Sequence, residues 1–476
     1  MKKLTIYIYV LVTVLFGSCS NSFLELENPQ GLDLRRTITD VPSLKAATNG
    51  VYDKFQSIHY YNRSFLLYPE IIGDNVFVSR RNSGRYINYD YFRLNPEDGN
   101  AVDTWYQMWR LIANANLAIK GGESLDLSSS LRVQADELIG EMYAARALCY
   151  FDMLRLYAQP YNFTSDAGHL GVPLLLEPQM ELVKPARNTA KESYEQVVRD
   201  FEKALTLLAS NYKPGRFTIP AVQALLAKVH LYMEDWESAE RHATEVIEGN
   251  SHQLLSHADY VDSWASRHSS ESIFEIINSA IDRPSTDGIG YFYEQAGYGD
   301  GLATKDLYEI YANTDVRKSL IQQGVRTNAE NPAYFVRKYP NGAATMDDNI
   351  KVIRLSEIYL IRAEARAELA LTDNSYTAGA QADLNTIVQR ADPGAADVAQ
   401  TGPALIDRIL VERRKELAFE GNRLFDMNRK KRGITHIQSG RSQMLSYPND
   451  GFILPISRTE LQANPNMDQN PGYTRE

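Results

Sequence analysis

From about residue 101 onward, much of the chain repeats apolar positions every three to four residues, the period of a helix with one buried face. Trp105, Met108, Trp109, Ile112, Ala115 and Asn116 form one such stripe. Residues 131–158 predict a long amphipathic helix. Residues 189–209 predict another, opened by Thr189 with Glu192 three positions on, the spacing of a capping box. A helical hairpin follows. Its first stripe is Val222, Leu225, Leu226, Val229, Tyr232 and Met233, its turn is Glu234-Asp235-Trp236, and its second stripe is Ala239, Ala243, Val246 and Ile247. Ala227, Trp236 and Ala239 fall where a tetratricopeptide unit places a small residue, an aromatic and a second small residue, so that two helices approach closely. A second unit is expected at 351–390, with Ala363, Ala365 and Ala367 lining its first helix. Nearer the start, Thr39-Asp40 cap a helix reaching to about Ser57.

The helical period fails in two stretches. Residues 60–100 alternate aromatic and polar residues and carry Gly73, Gly84, Pro96 and Gly99, which predicts loops with short strands. Residues 250–350 are rich in Gly, Ser, Tyr and Asp. The expected architecture is mostly α: a tetratricopeptide-like helical scaffold, with a large irregular insertion of the kind that carries function. Helical elements are expected at about 39–57, 101–120, 131–158, 189–248, 351–390 and 403–430 of a single body spanning 39–476.

The N-terminus reads as an address. Lys2 and Lys3 precede an apolar run from Leu4 to Phe16, then Gly17, Ser18 and Cys19. Residues 1–18 are expected to be a lipoprotein signal peptide, cut before an acylated Cys19, and 19–38 a stalk interrupted by Pro29 and Gly31. An ordinary secretory signal with an incidental cysteine is the alternative. Several acyl chains would anchor the chain stably, and no later segment is long and apolar enough to span a bilayer.

Composition narrows the function. The 476 residues carry a formal net charge of -10, which argues against nucleic acid as a partner. Cys149 lies in an apolar helical run and is expected to be buried; with only Cys19 besides, neither a disulfide framework nor a multi-cysteine metal site can form. The 29 tyrosines, beside 16 Phe and 4 Trp, exceed what helix packing needs and suit a surface that holds amphipathic ligands. Catalytic signatures such as His-Glu-x-x-His, Gly-x-Ser-x-Gly and a Walker loop are absent. Glu412, Glu416 and Glu420 share a helix face with Arg413, Arg414 and Arg423 nearby, and a structural ion-pair network is expected there, as for Glu357 and Glu364. His252 and His257 are a weak metal signal. Asp347-Asp348-Asn349 could contribute to a structural calcium site, although a solvated turn is the simpler reading. No other cofactor is expected.

Four segments carry a more specific resemblance. The first is Trp105 to Leu117. The second is Gly140-Glu141, Arg146-Ala147 and Tyr150 to Tyr157, with Gly171-Val172-Pro173-Leu174 after it. The third is Arg354 to Ala365, continued by Glu412 to Gly421 and Arg423 to Asp426. The fourth is Leu454-Pro455-Ile456 with Asn464 to Tyr473. In this order, behind a lipoprotein signal, they resemble the SusD/RagB family of outer-membrane nutrient-binding lipoproteins. The resemblance covers the chain from about residue 40 to its end. It implies four tetratricopeptide-like helix pairs with a loop-rich ligand-binding half packed on them. It also implies a SusC-like TonB-dependent outer-membrane barrel as partner, an anchor in the outer membrane facing the cell exterior, and capture of oligosaccharides or, in RagB-like members, peptides. Many relatives carry an acidic run after the lipidated cysteine, where this chain has Ser20-Asn21-Ser22-Phe23-Leu24-Glu25-Leu26-Glu27.

A glycan site combines aromatic faces for sugar C–H groups with a few fixed polar partners for hydroxyls. Two segments fit. One holds Asp74, Asn75, Arg80, Arg81, Tyr86, Tyr89 and Tyr91; the other holds Trp264, Tyr291, Phe292, Tyr293 and Tyr298, interleaved with Gly288, Gly290, Gly297 and Gly299. The candidate ligand-binding residues are Asp74, Asn75, Arg81, Tyr86, Tyr89, Tyr91, Trp264, Tyr291, Tyr293 and Tyr298, with no catalytic residue. A surface glycoside hydrolase is the remaining alternative, and would need two carboxyl groups facing each other across a cleft.

Overall fold

A computed structural model of the chain describes residues 37–475 apart from 180, 211, 439 and 440, so Cys19, the expected signal peptide and most of the expected stalk lie outside the described residues. Helix α1 (Val41–Phe55) opens at Asp40, whose carboxylate accepts the Ser43 N–H at 2.8 Å. Then come α2 (Ser64–Ile71), β1 (Val76–Val78) and α3 (Ile87–Asp90), followed by the long helices α4 (Gly99–Glu123), α5 (Ser129–Tyr157), α6 (Ala190–Leu207), α7 (Ile219–Met233) and α8 (Trp236–Glu248). The irregular middle holds β2 (Ser272–Ile276), α9 (Ile289–Tyr293), β3 (Gly301–Ala303), α10 (Lys305–Glu309), β4 (Ile321–Gly324), β5 (Ala333–Val336) and β6 (Ile350–Arg354). Helices resume with α11 (Leu355–Leu369), α12 (Thr377–Ala391), α13 (Gly402–Glu416) and α14 (Arg423–Arg429), before β7 (Ile434–Gln438), β8 (Arg441–Leu445) and α15 (Arg458–Ala463). The fold is thus mostly α, with fifteen α-helices among the described residues.

Successive long helices pack on one another: α4 on α5, α5 on α6, α7 on α8, α8 on α11, and α11 on α12 and α13. Alanines make these approaches close. Ala227 of α7 and Ala239 and Ala243 of α8 are fully buried, and Glu234 turns the hairpin in a left-handed conformation, φ 60°. Thr189 and Glu192 form the reciprocal capping box that their spacing predicts. Cys149 is buried, and burial pushes its thiol up, away from the reactive thiolate.

Ion pairs tie the helices to one another and to the irregular half. Arg146 of α5 grips Asp200 of α6 with two bonds of 2.7 Å. Arg317 reaches Glu412 and Glu416 of α13 at 2.5 and 3.0 Å, while Arg354 reaches Glu271, Glu416 and Glu420 at 2.5, 3.0 and 2.7 Å. Burial opposes the Glu416 charge, but Arg390, Arg354, Arg317 and Lys338 outweigh it and hold its carboxyl well below the usual range. Glu364 is bound by Arg429 at 2.6 Å and Glu357 by Lys228 at 2.9 Å. The carboxylates of this segment are structural.

Two elements differ from the sequence reading. Residues 351–354 are not helical: they belong to β6, which pairs antiparallel with β2, and the helix begins at Leu355. Ile350, Val352 and Ile353 are β-branched and suit a strand, which the alanine pattern of the following helix obscured. Residues 64–71, expected among loops, form α2 with Pro69 inside it. All eight residues are buried, so no polar face marks the helical period.

The irregular half is organised by a four-stranded antiparallel sheet in the order β1-β3-β5-β4, with Val76 opposite Ala303, Leu302 opposite Phe335 and Gln322 opposite Phe335. Because β1 and β3 run antiparallel with Val78 opposite Gly301, two loops leave the same end of this pair, 79–86 after β1 and 294–300 before β3, and the 325–332 turn between β4 and β5 is joined to both by side-chain hydrogen bonds.

Candidate ligand site at one end of the sheet

The three loops are fastened to each other before any ligand is considered. The Ser79 N–H donates to the Asp300 carbonyl at 2.8 Å, continuing the β1–β3 ladder beyond the strands. Glu330 accepts from the Ser79 hydroxyl at 2.7 Å and from the Arg80 N–H at 2.8 Å, joining the third loop to the first. Arg326 donates to the Arg81 carbonyl at 2.6 Å and to the Tyr298 carbonyl, crossing all three. Asp300 accepts from Ser83 and lies 3.5 Å from Arg326.

On this base stand two partly exposed tyrosines. Tyr291 and Tyr298 meet edge to face, with ring centroids 4.8 Å apart and planes at 86°. The turn between them demands glycine at 297, where a Cβ would lie 2.4 Å from the Tyr291 carbonyl oxygen. Arg85 covers Tyr298: its guanidinium carbon is 4.2 Å from the ring centroid, and it donates to the Tyr298 hydroxyl at 3.1 Å and to the Ser83 hydroxyl at 2.9 Å. Asp287 lies 3.4 Å from both Arg85 and Arg63. Beyond Tyr291 is a narrow crevice in which Asn62, Asn278 and Asp348 stand beside apolar Ile289, Met346 and Ile350. Burial pushes the Asp348 carboxyl up to about 7, against the Asn341 N–H that donates to it at 3.1 Å and the nearby Lys351 charge.

Several other sequence candidates lie beneath this surface. Tyr86 is 3% exposed; its hydroxyl takes a hydrogen bond from Arg63 at 2.9 Å and contacts Ser64 at 2.7 Å, and its ring meets Phe292 edge-on. Tyr89 stacks on Tyr68 and donates to Asp98 at 2.6 Å. Tyr293 stacks on Tyr339 in the core. Trp264 is buried among Lys338, Lys351 and Arg354, whose charges lie 4.4, 5.0 and 5.1 Å from its ring. Asn75 spans Glu70 and Arg414. Asp74 is bound by Arg423 at 2.6 and 2.8 Å. Burial opposes its charge, but the bonds from Arg423 and the charges of Arg423 and Arg414 outweigh it and hold the carboxyl below its ordinary value. These six side chains are buried, with their polar groups or rings engaged inside the protein. Of the rest, Arg81 and Tyr91 are exposed, and the Tyr91 ring meets Arg93 at 5.3 Å. The sequence reading did not single out Arg85, Asp287, Asp300 or Arg326. Gly297-Tyr298-Gly299-Asp300-Gly301 was the available signal for Asp300, since such a run places backbone close to its neighbours.

The calcium candidates are also engaged: Asp347 pairs with Arg267 at 2.6 Å, and Asn349 spans Asn278 and Glu275. Among the described residues no three His, Cys, Asp or Glu side chains are grouped to hold a metal, and no helix is long and apolar enough to cross a membrane.

Comparison with known proteins accounts for nearly the whole chain. A sequence profile described as the SusD family matches residues 289–473, and a second, described as starch-binding associating with outer membrane, matches residues 22–231. A SusD-like protein of Formosa agariphila is 25% identical over 99% of this chain and 100% of its own length; one of Bacteroides ovatus is 23% identical over 94% of this chain and 85% of its own. A solved SusD superfamily protein of Bacteroides vulgatus superposes with a TM-score of 0.85 at 29% identity, covering 92% of this chain and all of that one. A laminarin-binding SusD-like protein shares the fold at 21% identity, with a TM-score of 0.73 over 91% of this chain and 100% of that chain. The helical scaffold, the loop-rich half and both profiles agree: the chain belongs to the SusD/RagB family, a carbohydrate-binding family associated with the outer membrane.

Proposed function

We propose that the protein is a lipid-anchored, cell-surface oligosaccharide-binding protein that passes its ligand to a TonB-dependent barrel in the outer membrane. The observation that carries this reading is the Tyr291–Tyr298 pair, partly exposed and set at a right angle, with Arg85 and Asp287 beside it. Two rings at that angle offer a corner in which successive sugar rings can pack, while the arginine and carboxylate meet hydroxyls. Of the sequence candidates, Arg81, Tyr91, Tyr291 and Tyr298 are the ones we propose touch ligand. Asp74, Asn75, Tyr86, Tyr89, Trp264 and Tyr293 would set the shape of the site through packing.

Binding without turnover is the better reading of the carboxylates. Asp287 is shared by two arginines and Asp300 is occupied by Ser83 and Arg326, so that Asp348, whose carboxyl is raised in the crevice, is left without either of them as a free carboxylate partner, and glycoside hydrolysis needs a pair. The anchor has its own check: palmitate labelling of cells should mark the protein, and Cys19→Ser should abolish both the label and recovery in the membrane fraction. Calorimetric titration of residues 20–476 against panels of oligosaccharides and peptides tests ligand class. Saturable binding to sugars is expected. Binding to peptides alone would favour the RagB-like alternative, and turnover of any glycan would replace the binding reading with a hydrolase.

A further inference from the structure

The three loops carry an excess of positive charge in a protein that is acidic overall. Counting them together with Arg63, which holds Asp287, the guanidinium groups are those of Arg63, Arg80, Arg81, Arg85 and Arg326. The carboxylates among them are Asp287, Asp300 and Glu330; Glu294 is balanced separately by Arg337. Five cations therefore face three anions, while the whole chain carries a formal net charge of -10. Such a local reversal of sign is costly to hold together and is the arrangement that concentrates an anion at one place.

The hydrogen bonding shows where the excess lies. Arg326 spends its donors on the carbonyls of Arg81 and Tyr298, and Asp300 is 3.5 Å away and already accepts from Ser83. Burial lowers its affinity for a proton; Asp300 opposes that, and the neighbouring Arg81 charge adds to it. The Asp287 carboxylate is divided between Arg63 and Arg85 at 3.4 Å each, longer than a close charged hydrogen bond. Arg81 is exposed, and its guanidinium makes no ion pair or hydrogen bond with any described residue. Hydroxyls of a neutral sugar are met by a guanidinium and a carboxylate together, as Arg85 and Asp287 could do, and leave no use for a guanidinium without a carboxylate beside it. A planar guanidinium with spare donors matches the two oxygens of a carboxylate or the face of a sulfate.

We infer that the Tyr291–Tyr298 site takes an anionic oligosaccharide, one whose sugars carry carboxylate or sulfate groups, with Arg81 and Arg85 receiving the charge while the tyrosines pack the ring. This rests on the oligosaccharide reading above and narrows it. Arg85 is held in place by Tyr298 and Ser83 and is ready for a ligand oxygen; Arg81 would close from the rim.

The test is calorimetric titration of the full mature chain with matched probes: a galacturonate tetrasaccharide, a mannuronate tetrasaccharide and a carrageenan-derived sulfated tetrasaccharide, each against its neutral counterpart, carboxyl-reduced or desulfated. At least one anionic probe should bind about tenfold or more tighter than its counterpart, and its affinity should fall as salt is raised. Arg81→Ala should weaken the anionic probe by about tenfold and a neutral counterpart by clearly less, with the anionic affinity of Arg81→Lys between those of wild type and Arg81→Ala. Equal or tighter binding of the neutral counterparts, unaffected by salt or by Arg81→Ala, would overturn this inference while leaving oligosaccharide binding intact. Failure of all these probes and of neutral glycans would overturn both.

Discussion

At the scale of single residues, the tyrosines divide by where their hydroxyls go. Tyr86 and Tyr89 bind Arg63 and Asp98 inside the protein, whereas the Tyr298 hydroxyl meets Arg85 at the surface. Alternating aromatic and polar residues mark both groups equally, so the sequence could locate the region but not choose between support and contact. That choice depends on partners far along the chain, such as Asp287 for Arg63 and Arg85. Asp348 allows a pH prediction. Its carboxyl is raised to about 7, so between the ordinary aspartate pKa and 7 the folded protein binds a proton that the unfolded chain releases. Its contribution to stability therefore falls as pH rises through that range. Asp348→Asn should raise the melting temperature at pH 8 and change it little at pH 4, as differential scanning calorimetry would show; equal effects at both would mean the carboxyl is not held neutral. Arg354 allows a second. It is buried facing Glu271, Glu416 and Glu420, and Arg354→Ala should cost about 3–5 kcal/mol in urea unfolding, because it strands buried carboxylates.

At the scale of elements, the helices were legible because their information is local. The capping box at Thr189 and the alanine spacing of α7 and α8 are set within a few residues of one another. The sheet was not legible, since β1 and β3 pair Val76 with Ala303 across more than half of the body. The strands are three to five residues long, too short to show an alternating period. Helix α2, buried all round, gave no period either. The sheet nevertheless brings the Arg81 and Tyr298 loops together, and Arg326 is hydrogen-bonded to both. The crevice beside Tyr291 depends on backbone packing: a Cβ at Gly342 would lie 2.4 Å from the Gly290 carbonyl carbon. Gly342→Ala should therefore displace α9 and weaken ligand binding by about tenfold or more, with a smaller effect on global unfolding, since the loop half can shift while the helices stay packed. Unchanged affinity in this variant would separate Tyr291 from the site.

At the scale of the whole molecule, the helical scaffold and the loop half have different tasks. Buried ion pairs such as Arg354 with Glu416 and Glu420 lock one to the other, so the three loops leave a rigid base. A rigid site loses little entropy when it orders a flexible oligosaccharide. The central claim is that sugar binds at the Tyr291–Tyr298 corner. The most direct measurement is calorimetric titration of wild type, Tyr291→Ala and Tyr298→Ala with whichever oligosaccharide binds. Each variant should lose about tenfold or more in affinity, about 1.4 kcal/mol or greater, while keeping the wild-type melting temperature within a few degrees. Wild-type affinity in both variants would contradict the account.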